Sequence, residues 1–457
     1  MPLREQIVAP GTRNYLSRMS PVRRFAILGL ILAAGWFFLW PDSETRVPTT
    51  SRRDLTFIDY EIGNVSFSPD GRQILIGTRQ IVYLHDAQDG TLLKRLWTVG
   101  YHSDWRTPTF SPDGRHFVTT PLSEAILWDL ESGLQQIVFA GHAPRGWITS
   151  ATFSSDGRRL VTAAEDNTAR IWDTESAKPR SSWFAPIETR SAILTLAGHT
   201  RPLTSAVFNM DGRRVLTASR LDHAARLWDA DTGQPIAVFS SGSSEMLQAI
   251  FSPNGRRILT LSNEQVQLWD AGDGRALLNV DAGAHFRSFS KAAFSADGRW
   301  IVTIGGFFTV TIGGAFTPYI SLWDADSGQV LRTTGGQSST MPGRSSFLTD
   351  AQFSPDGQRV VTTSNDGKVQ LWDVSTGGEL ITLPGTPVSA SHPAFSPDGH
   401  RLAASFFNDT VMVWQLLDGA PYHDSDAAIL VRREVPDIVQ WLAGRYRLAR
   451  RRLGLAL

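Results

Sequence analysis

Residues 153–173 read FSSDGRRLVTAAEDNTARIWD, and this stretch decides the fold of the chain. It begins with a phenylalanine and a tight turn that contains Asp156 and Gly157, continues as an apolar strand and ends on tryptophan and aspartate. A polar residue followed by glycine closes a β-hairpin, because glycine adopts the positive φ that the turn requires. The apolar run at 160–162 suits a strand that is covered on both faces. The stretch therefore predicts antiparallel strands inside a packed β-structure.

The same pattern occurs eight times along the 457 residues of the chain. The phenylalanines that begin it are Phe67, Phe110, Phe153, Phe208, Phe251, Phe294, Phe353 and Phe395. Successive phenylalanines are 43, 43, 55, 43, 43, 59 and 42 residues apart. The tryptophans of the Trp-Asp endings are Trp128, Trp172, Trp228, Trp269, Trp323 and Trp372, with His85-Asp86 and Trp414-Gln415 as degenerate first and last copies. A period near 43 with this ending predicts an all-β radial array of four-stranded sheets.

The repeats resemble the WD40 repeat family over about residues 55–420, and their near-identity is typical of bacterial members. Gly-His dipeptides precede the phenylalanine in repeats three and four, at 141–142 and 198–199. The resemblance implies a WD40-like β-propeller. It also implies, in a complete blade, a hydrogen-bonded network of histidine, Ser or Thr, aspartate and tryptophan. The residues that it assigns to this structural blade network are His142, Asp166, Trp172, His199, Asp222 and Trp228.

The number of copies predicts eight four-stranded blades, with seven blades and a stray unit as the alternative. The last copy offers no clear fourth strand after Trp414. Residues 55–60, which read LTFIDY before the first motif, are expected to supply that strand. Such a closure would pair the two ends of the propeller at residues 54–420 and remove an exposed sheet edge.

An apolar run lies near the N-terminus. Residues 25–40 read FAILGLILAAGWFFLW, between a basic segment at 1–24 and a polar linker at 41–53. At ~1.5 Å per residue a helix of this length reaches ~24 Å, which suits an uncleaved transmembrane helix or signal-anchor with interfacial tryptophans. A cleavable signal peptide is the alternative, although Trp36 and Trp40 stand where small residues are expected. More arginines precede the run than follow it, which predicts a single-pass protein with a cytoplasmic N-terminus and the propeller outside, in the periplasm or extracellular space.

Charge is unevenly distributed along the chain. Basic and acidic residues number 44 each, but residues 1–53 and 421–457 are basic, so residues 54–420 carry a net charge of about −8. An acidic body disfavours nucleic acid as the partner, because phosphate binding needs a basic face. The chain contains no cysteine, which excludes disulfides, thiolate metal sites and a cysteine nucleophile.

Two insertions interrupt the period. Residues 177–190 are expected between the third and fourth strands of repeat three. Residues 302–309 and 310–317 read VTIGGFFT and VTIGGAFT, a tandem duplication expected between the second and third strands of repeat six. The duplication predicts either an extended hairpin that is tolerated like any surface insertion, or an adhesive tip that binds a partner.

Loop tryptophans and arginines on the same predicted face also indicate partner binding, because both residue types are enriched at binding hot spots. A loop tryptophan can equally cover its own blade. The candidate partner-contact residues are Trp105, Arg106, Arg145, Trp147, Arg201, Phe286, Arg287, Phe307, Phe308, Phe316 and Tyr319.

The C-terminal segment at 421–457 predicts a short, basic, amphipathic helix. Pro436 suits the first turn, and Val435, Ile438 and Leu442 follow helical spacing. Packing on the propeller and contact with a membrane surface are both compatible with this pattern.

Motifs of known catalytic sites are missing from the sequence, including H-E-x-x-H, G-x-x-x-x-G-K-[ST] and G-x-S-x-G. The ten histidines show no metal-ligand spacing. We therefore expect no catalytic residue, cofactor or metal, and a non-enzymatic, membrane-anchored scaffold for protein partners. The alternatives are an enzyme or small-molecule binder with its site in the central channel, and a secreted soluble propeller after signal cleavage.

Overall fold

The computed structural model describes ten stretches of the chain, all within the compact unit Asp59–Leu457. These stretches are residues 62–78, 81–97, 108–175, 186–281, 287–308, 316–335, 346–383, 385–408, 410–416 and 429–432. Within them the secondary structure is entirely strands and turns, arranged as eight sheets in chain order, each with four antiparallel strands; one of these sheets gains a fifth strand, which pairs in parallel. We call each sheet a blade.

The first four blades span residues 62–240. Blade 1 contains β1 (Ile62–Phe67), β2 (Gln73–Thr78), β3 (Ile81–Asp86) and β4 (Leu92–Trp97). Blade 2 contains β5 (Thr109–Phe110), β6 (His116–Thr119), β7 (Glu124–Asp129) and β8 (Gln135–Ala140). Blade 3 contains β9 (Ile148–Phe153), β10 (Arg159–Ala164), β11 (Thr168–Asp173) and β13 (Leu194–Ala197), and β12 (Glu188–Arg190) lies in its insertion. Blade 4 contains β14 (Ser205–Phe208), β15 (Arg214–Ser219), β16 (Ala224–Asp229) and β17 (Pro235–Ser240).

The last four blades span residues 246–432. Blade 5 contains β18 (Met246–Phe251), β19 (Arg257–Ser262), β20 (Gln265–Asp270) and β21 (Ala276–Asp281). Blade 6 contains β22 (Arg287–Phe294), β23 (Trp300–Phe308), β24 (Phe316–Asp324) and β25 (Val330–Gly335). Blade 7 contains β26 (Leu348–Phe353), β27 (Arg359–Ser364), β28 (Val369–Asp373) and β29 (Glu379–Leu383). Blade 8 contains β30 (Ala390–Phe395), β31 (Arg401–Phe406), β32 (Thr410–Gln415) and β33 (Ile429–Arg432). The prediction of eight blades is confirmed.

The turn between the first two strands of a blade is specified by its own side chains. In blade 3, Ser154 Oγ donates to Asp156 Oδ1 at 2.6 Å and accepts from the Arg159 backbone N–H at 2.9 Å. Asp156 Oδ1 also accepts from the backbone N–H of Arg158 at 3.0 Å. Gly157 has a φ of 71°, a conformation that glycine adopts without strain. These contacts explain why the repeat motif begins as it does.

The core consists of eight hydrophobic clusters, each of which bridges two successive blades. Between blades 3 and 4, for example, Val161 and Ile171 pack with Val215 and Trp228. The cluster between blades 8 and 1 closes the ring in the same way. Because each blade buries both faces against its neighbours, its second and third strands are apolar on both sides.

Within the described residues, arginines at the start of second strands link five of the eight blades to the next blade. We call Arg159, Arg214, Arg257, Arg359 and Arg401 the seam arginines. Arg359 Nη2 donates to the carbonyl of Gly399 at 3.2 Å. Arg401 Nη2 donates to the carbonyl of Gly71, 330 residues away, at 2.9 Å, and its guanidinium lies 5.9 Å from the centroid of the Phe67 ring. The seam between the last and first blades is therefore linked by the same contact as four of the other seams.

The strand that completes blade 8 differs from the prediction. Residues 55–60 lie outside the described residues, and the fourth strand is β33, which pairs antiparallel with β32 from Thr410↔Arg432 to Val413↔Ile429. The helix predicted within 421–457 is therefore wrong at 429–432, while the rest of that segment lies outside the described residues. The edge of β32 gains backbone hydrogen bonds from this tetrapeptide, which contains the β-branched Ile429 and Val431 and which a short helix there could not replace.

Both insertions lie where the sequence places them. The first, between β11 and β13, contributes β12, which pairs in parallel with β8 of blade 2 and covers the outer edge of that sheet. The second is an extended hairpin of two nine-residue strands, β23 and β24. Its register runs from Trp300↔Asp324 to Phe308↔Phe316, and residues 309–315 lie outside the described residues.

The predicted membrane segment at 25–40 also lies outside the described residues, as do residues 1–24 and 41–53. Within the described stretches, no helix has the length and apolar character needed to cross a membrane.

Candidate functional site

The strand order gives the propeller two chemically different faces. Because the strands of a blade alternate in direction, the turns between strands one and two and between strands three and four lie at one end of the sheet. We call this end the turn face. Connections between strands two and three, and from one blade to the next, lie at the other end, which we call the connection face. Of the predicted partner-contact residues, Arg145, Trp147 and Arg201 lie in connections on this face.

A chain of hydrogen bonds runs from the connection face into blade 3. His142 Nδ1 lies 2.9 Å from Asp166 Oδ2, and its Nε2 lies 2.7 Å from Thr162 Oγ1. Trp172 Nε1 donates to the same hydroxyl at 2.9 Å. Asp166 Oδ2 also accepts from the backbone N–H of Ala143 at 3.0 Å. The network thus joins the second and third strands of blade 3 to two connections, the one between β8 and β9 and the one between β10 and β11.

Blade 4 repeats this arrangement. His199 Nδ1 lies 2.8 Å from Asp222 Oδ2 and its Nε2 lies 2.8 Å from Thr217 Oγ1. Trp228 Nε1 donates to that hydroxyl at 2.9 Å. Thr200 Oγ1 donates to the second oxygen of Asp222 at 2.5 Å. The six residues that the resemblance assigned to blade networks are therefore brought together in two sets of three.

Four other blades keep only the tryptophan–threonine contact. The donor and acceptor pairs are Trp128–Thr119, Trp269–Thr260, Trp323–Thr303 and Trp372–Thr362, at 2.8 to 2.9 Å. In blade 7, Asp366 accepts from Ser364 of its own turn. The complete network is thus a feature of blades 3 and 4 within the described residues.

Burial and hydrogen bonding shift the pKa values of this network in one direction. Burial lowers the pKa of His199 from its ordinary 6.5, against the opposing effect of Asp222. Burial alone would raise the pKa of Asp222 and of Asp166, but hydrogen bonds outweigh it. Thr200 and His199 lower the pKa of Asp222, while His142, Thr168 and Ala143 lower that of Asp166. The folded state therefore favours a neutral His199 beside an ionised Asp222 in blade 4, and an ionised Asp166 in blade 3.

We expect the free energy of unfolding to fall as the pH is lowered below about 6.5. Between that value and its lowered folded-state pKa, His199 binds a proton in the unfolded chain but not in the folded one. Asp222 and Asp166 add a second loss as the pH falls from about 3.8 through their folded-state pKa values. Urea midpoints measured at several pH values test both windows. The variant His199→Gln should show a shallower decline above pH 4.5 than the unchanged protein, and an equal decline would contradict this assignment.

The predicted contact residues have different surroundings. Arg145 and Arg201 are exposed on the connection face, and Trp147 is half-buried there. Tyr319 is only 5% exposed and packs in the core cluster of blades 5 and 6, with its ring 6.3 Å from that of Phe289. The expectation that Tyr319 stands at an exposed hairpin tip is corrected, because the register Gly305↔Tyr319 places it inside the blade.

The remaining candidates are described in part or not at all. Trp105, Arg106 and Phe286 lie outside the described residues. Arg287, Phe307, Phe308 and Phe316 are placed in strands β22, β23 and β24 by their backbone, but their side chains lie outside the described part. Their role in partner contact stays a prediction.

A polar cluster on the innermost strands was not predicted. The first strands of neighbouring blades contact one another around the centre of the ring. Lys291 Nζ of blade 6 donates to Asp350 Oδ2 of blade 7 at 2.7 Å. In blade 8, Ser391 Oγ lies 3.0 Å from His392 Nδ1, and His392 has a φ of 50°. The dipeptide formed by His392 and proline inside a strand was the available signal, since proline marks a bulge or break in pairing.

The described stretches contain no metal site, because no group of three or more His, Cys, Asp or Glu side chains in them could hold a metal ion.

Comparisons with known proteins point to one family. The family model for the WD domain, G-beta repeat, matches residues 133–173, 190–229, 335–373 and 377–415. Over 258 residues the chain is 28% identical to guanine nucleotide-binding protein subunit beta of Arabidopsis thaliana, covering 52% of this chain and 65% of that protein. Over 311 residues it is 24% identical to apoptotic protease-activating factor 1 of Mus musculus, covering 68% of this chain and 22% of the relative. Over 381 residues it is 24% identical to periodic tryptophan protein 2 of Saccharomyces cerevisiae, covering 69% and 39%.

The chain thus spans less than two thirds of the length of each of these relatives. Among solved structures, the computationally designed Ika8 protein aligns with a TM-score of 0.60 at 20% identity, over 78% of this chain and 96% of that one, a likeness of fold alone. The matched repeats each run from the outer strand of one blade to the third strand of the next, in register with the eight blades of the structure. This chain is a member of the WD40-repeat family of β-propellers.

Proposed function

We propose that this chain is a membrane-anchored, non-enzymatic propeller that serves as a platform for protein partners. Its residues 25–40 would hold it in the membrane as a single-pass anchor, with the N-terminus cytoplasmic and the propeller outside. The relatives are WD-repeat proteins, and WD40 propellers generally bind protein partners. The partner surface would be the connection face.

The observation that carries the proposal is the hairpin of blade 6. Its strands β23 and β24 contain nine residues, whereas the second strand of most other blades contains six. Up to the pair Gly305↔Tyr319 the hairpin belongs to the blade, because Tyr319 is part of the core. From Gly306↔Pro318 onward it continues beyond the last pair of β24 with β25, Tyr319↔Gly335, while β22 still pairs with β23 as far as Arg287↔Phe307. A hairpin that is longer than its equivalents on a rigid ring is a suitable contact element, since interface binding energy concentrates in a few well-placed anchors.

Shortening the hairpin tests the proposal. Residues 307–317 are replaced by an Asn-Gly turn, which retains Gly306 and Pro318 as the last strand pair. A matched control removes residues 178–184 from the other insertion. Partners are crosslinked in intact cells and identified by mass spectrometry. We expect the first variant to capture at least about tenfold less partner while its melting temperature stays unchanged, and the control to capture as much partner as the unchanged protein. Equal capture by both variants would contradict the proposal.

Anchoring and orientation need a separate test. The chain has no cysteine, so a single Gln88→Cys on an exposed turn of blade 1 provides one labelling site. We expect a membrane-impermeant maleimide to label it in intact spheroplasts, and the protein to stay in the membrane fraction with residues 25–40 retained in its intact mass. Protection from the reagent would contradict the orientation. A mature N-terminus near residue 41 would favour the secreted alternative.

A further inference from the structure

The seam between blades 4 and 5 differs from the seams between blades 3 and 4 and between blades 5 and 6. In blade 3, the seam arginine Arg159 donates from Nη1 to Asp231 Oδ1 at 2.8 Å and from Nη2 to the carbonyl of Gly212 at 2.6 Å. In blade 5, the seam arginine Arg257 donates to the carbonyl of Ala325 at 2.9 Å and pairs with Asp326. Each of these arginines thus contacts a carboxylate of the next blade. That carboxylate belongs to the second residue after the aspartate of the Trp-Asp ending.

The seam arginine of blade 4 meets no such carboxylate. Arg214 reaches the next blade in the same way, since its Nη1 donates to the carbonyl of Ala271. The residue after Ala271 is Gly272, where the two other blades have Asp231 and Asp326. Among the described residues, no carboxylate forms an ion pair with Arg214. The guanidinium therefore keeps its backbone contact across the seam without the carboxylate that Arg159 and Arg257 meet there. A charge interaction within its own blade remains, since hydrogen bonds from Thr232 and then the charge of Arg214 lower the pKa of Asp229.

A cavity of about 650 Å³ lies at this position on the turn face. Arg214 and Gly272 line it, together with Asn209, Asn254 and the 69% exposed Met210. Asn209 replaces the serine that seven other turns carry, and Asn254 replaces the aspartate found at that position in every other turn. The departures from the repeat pattern therefore converge on one cavity.

The substitutions change the chemistry of the cavity in one direction. Asn254 replaces the aspartate of the other turns, and Gly272 stands where blades 4 and 6 have an aspartate, so two negative charges are absent relative to those two blades. Asn209 Oδ1 accepts from the Arg214 backbone N–H at 2.9 Å, and Asn254 Oδ1 accepts from Ser252 Oγ at 2.8 Å. With their oxygens engaged, the two side-chain amides offer N–H donors. An exposed guanidinium from Arg256 lies at the same cavity.

Two carboxylates also line the cavity, and both are engaged by their own turns. Asp211 Oδ1 accepts from the backbone N–H of Arg213 at 2.8 Å. Asp270 Oδ1 accepts from the backbone N–H of Gly272 at 2.6 Å. A Cβ added to Gly272 would meet only Asp270 Oδ1, at 2.8 Å, within the described part of the seam. Gly272 therefore places no side chain beside Arg214, where Asp231 lies beside Arg159, and the open space at this position is the cavity itself.

We propose that this cavity binds a small organic molecule through its carboxylate, with Arg214 as the charge partner. The carboxylate would take the place that Asp231 and Asp326 take beside Arg159 and Arg257, where one carboxylate oxygen accepts a charge-assisted contact from the guanidinium. The amides of Asn209 and Asn254 add donors, and the volume of this open cavity lies in the range of small-molecule sites. The site lies on the face opposite the proposed partner surface.

Calorimetric titration of the full-length protein in detergent tests the proposal. The probes are succinate and citrate, with succinamide as the uncharged counterpart and inorganic phosphate as a different anion. We expect saturable binding of at least one carboxylate below about 10 mM and none of succinamide. Binding of phosphate alone, or of neither carboxylate, would overturn the proposal.

Two variants of one residue locate the site. Gly272→Asp supplies the carboxylate from the chain itself, and we expect it to weaken carboxylate binding by at least about tenfold while raising the melting temperature. Gly272→Asn has the same size without the charge and should not raise the melting temperature. Arg214→Gln should also lose binding, which keeps the test decisive if Gly272→Asp folds poorly. Unchanged affinity in Gly272→Asp and Arg214→Gln would place the binding elsewhere and overturn the proposal.

Discussion

The variant Trp228→Ala should lower the free energy of unfolding by about 3–5 kcal/mol, the largest effect that we expect from a single substitution in this chain. Trp228 is fully enclosed between blades 3 and 4, where it packs with Val161 and Val215. Its ring also lies against Gly198, where an added Cβ would come within 3.1 Å of Trp228 Cη2. Because this backbone is already in close contact, neighbouring groups have little room to collapse into the cavity that alanine would leave.

Equilibrium urea unfolding measures the loss, with the midpoint as the primary quantity because repeat arrays depart from two-state behaviour. Trp228→Phe serves as the control. It preserves most of the buried ring but removes the Nε1 donor to Thr217, so a smaller loss of about 1–3 kcal/mol is expected. A loss below about 1 kcal/mol in Trp228→Ala would show that the seam between blades 3 and 4 contributes little to stability.

The repeating frame of this protein is predictable from sequence because its cause is local. In six of the eight turns a serine, an aspartate and a glycine contact one another within five residues, as Ser154, Asp156 and Gly157 do. The second strands are apolar because each is buried between two blades, so their composition indicates this burial. Eight copies of such local information suffice to number the blades and to place both insertions between the strands where they lie.

The parts that the sequence did not predict depend on contacts between distant residues. The strand β12 (Glu188–Arg190) has no apolar alternation, yet it pairs with β8, about 50 residues earlier, in parallel. Arg190 secures it by donating to the carbonyls of Asp173 and Glu175 at 2.8 and 2.7 Å. The strand β33 has four residues beside a segment with helical spacing, so its local signal was weaker than that of its neighbour.

Among the candidate sites too, a recurring local pattern could be predicted and a contact between distant residues could not. The histidine, aspartate and tryptophan of blades 3 and 4 could be assigned because a family resemblance supplied their spacing, and the structure places them at hydrogen-bonding distance. The cavity at Arg214 could not be found this way. The cavity is recognised only when the contacts of Arg214 are compared with those of Arg159 and Arg257. That comparison requires knowing that Arg214 contacts Ala271, which lies 57 residues away in the chain.

The variant Thr162→Val should lower the free energy of unfolding by about 2–4 kcal/mol, although valine has nearly the same shape as threonine. Thr162 is fully buried, and its hydroxyl joins Trp172 Nε1 to His142 Nε2. Valine leaves the indole N–H without an acceptor and the imidazole nitrogen without a donor. Each buried polar group left without a partner costs about 1–3 kcal/mol, because it was removed from water on folding.

The matched control is Thr260→Val in blade 5, where the buried hydroxyl accepts from Trp269 Nε1 and no histidine is involved. There we expect only the cost of one unpaired indole N–H, about 1–3 kcal/mol. Urea unfolding of both variants, each against the unchanged protein, gives the difference that belongs to the histidine and to Asp166 behind it. If the two variants lose the same free energy, the histidine arm of the network contributes nothing to stability, and its conformational role at the connection face would have to be measured instead by hydrogen exchange at Ala143, whose backbone N–H donates to Asp166.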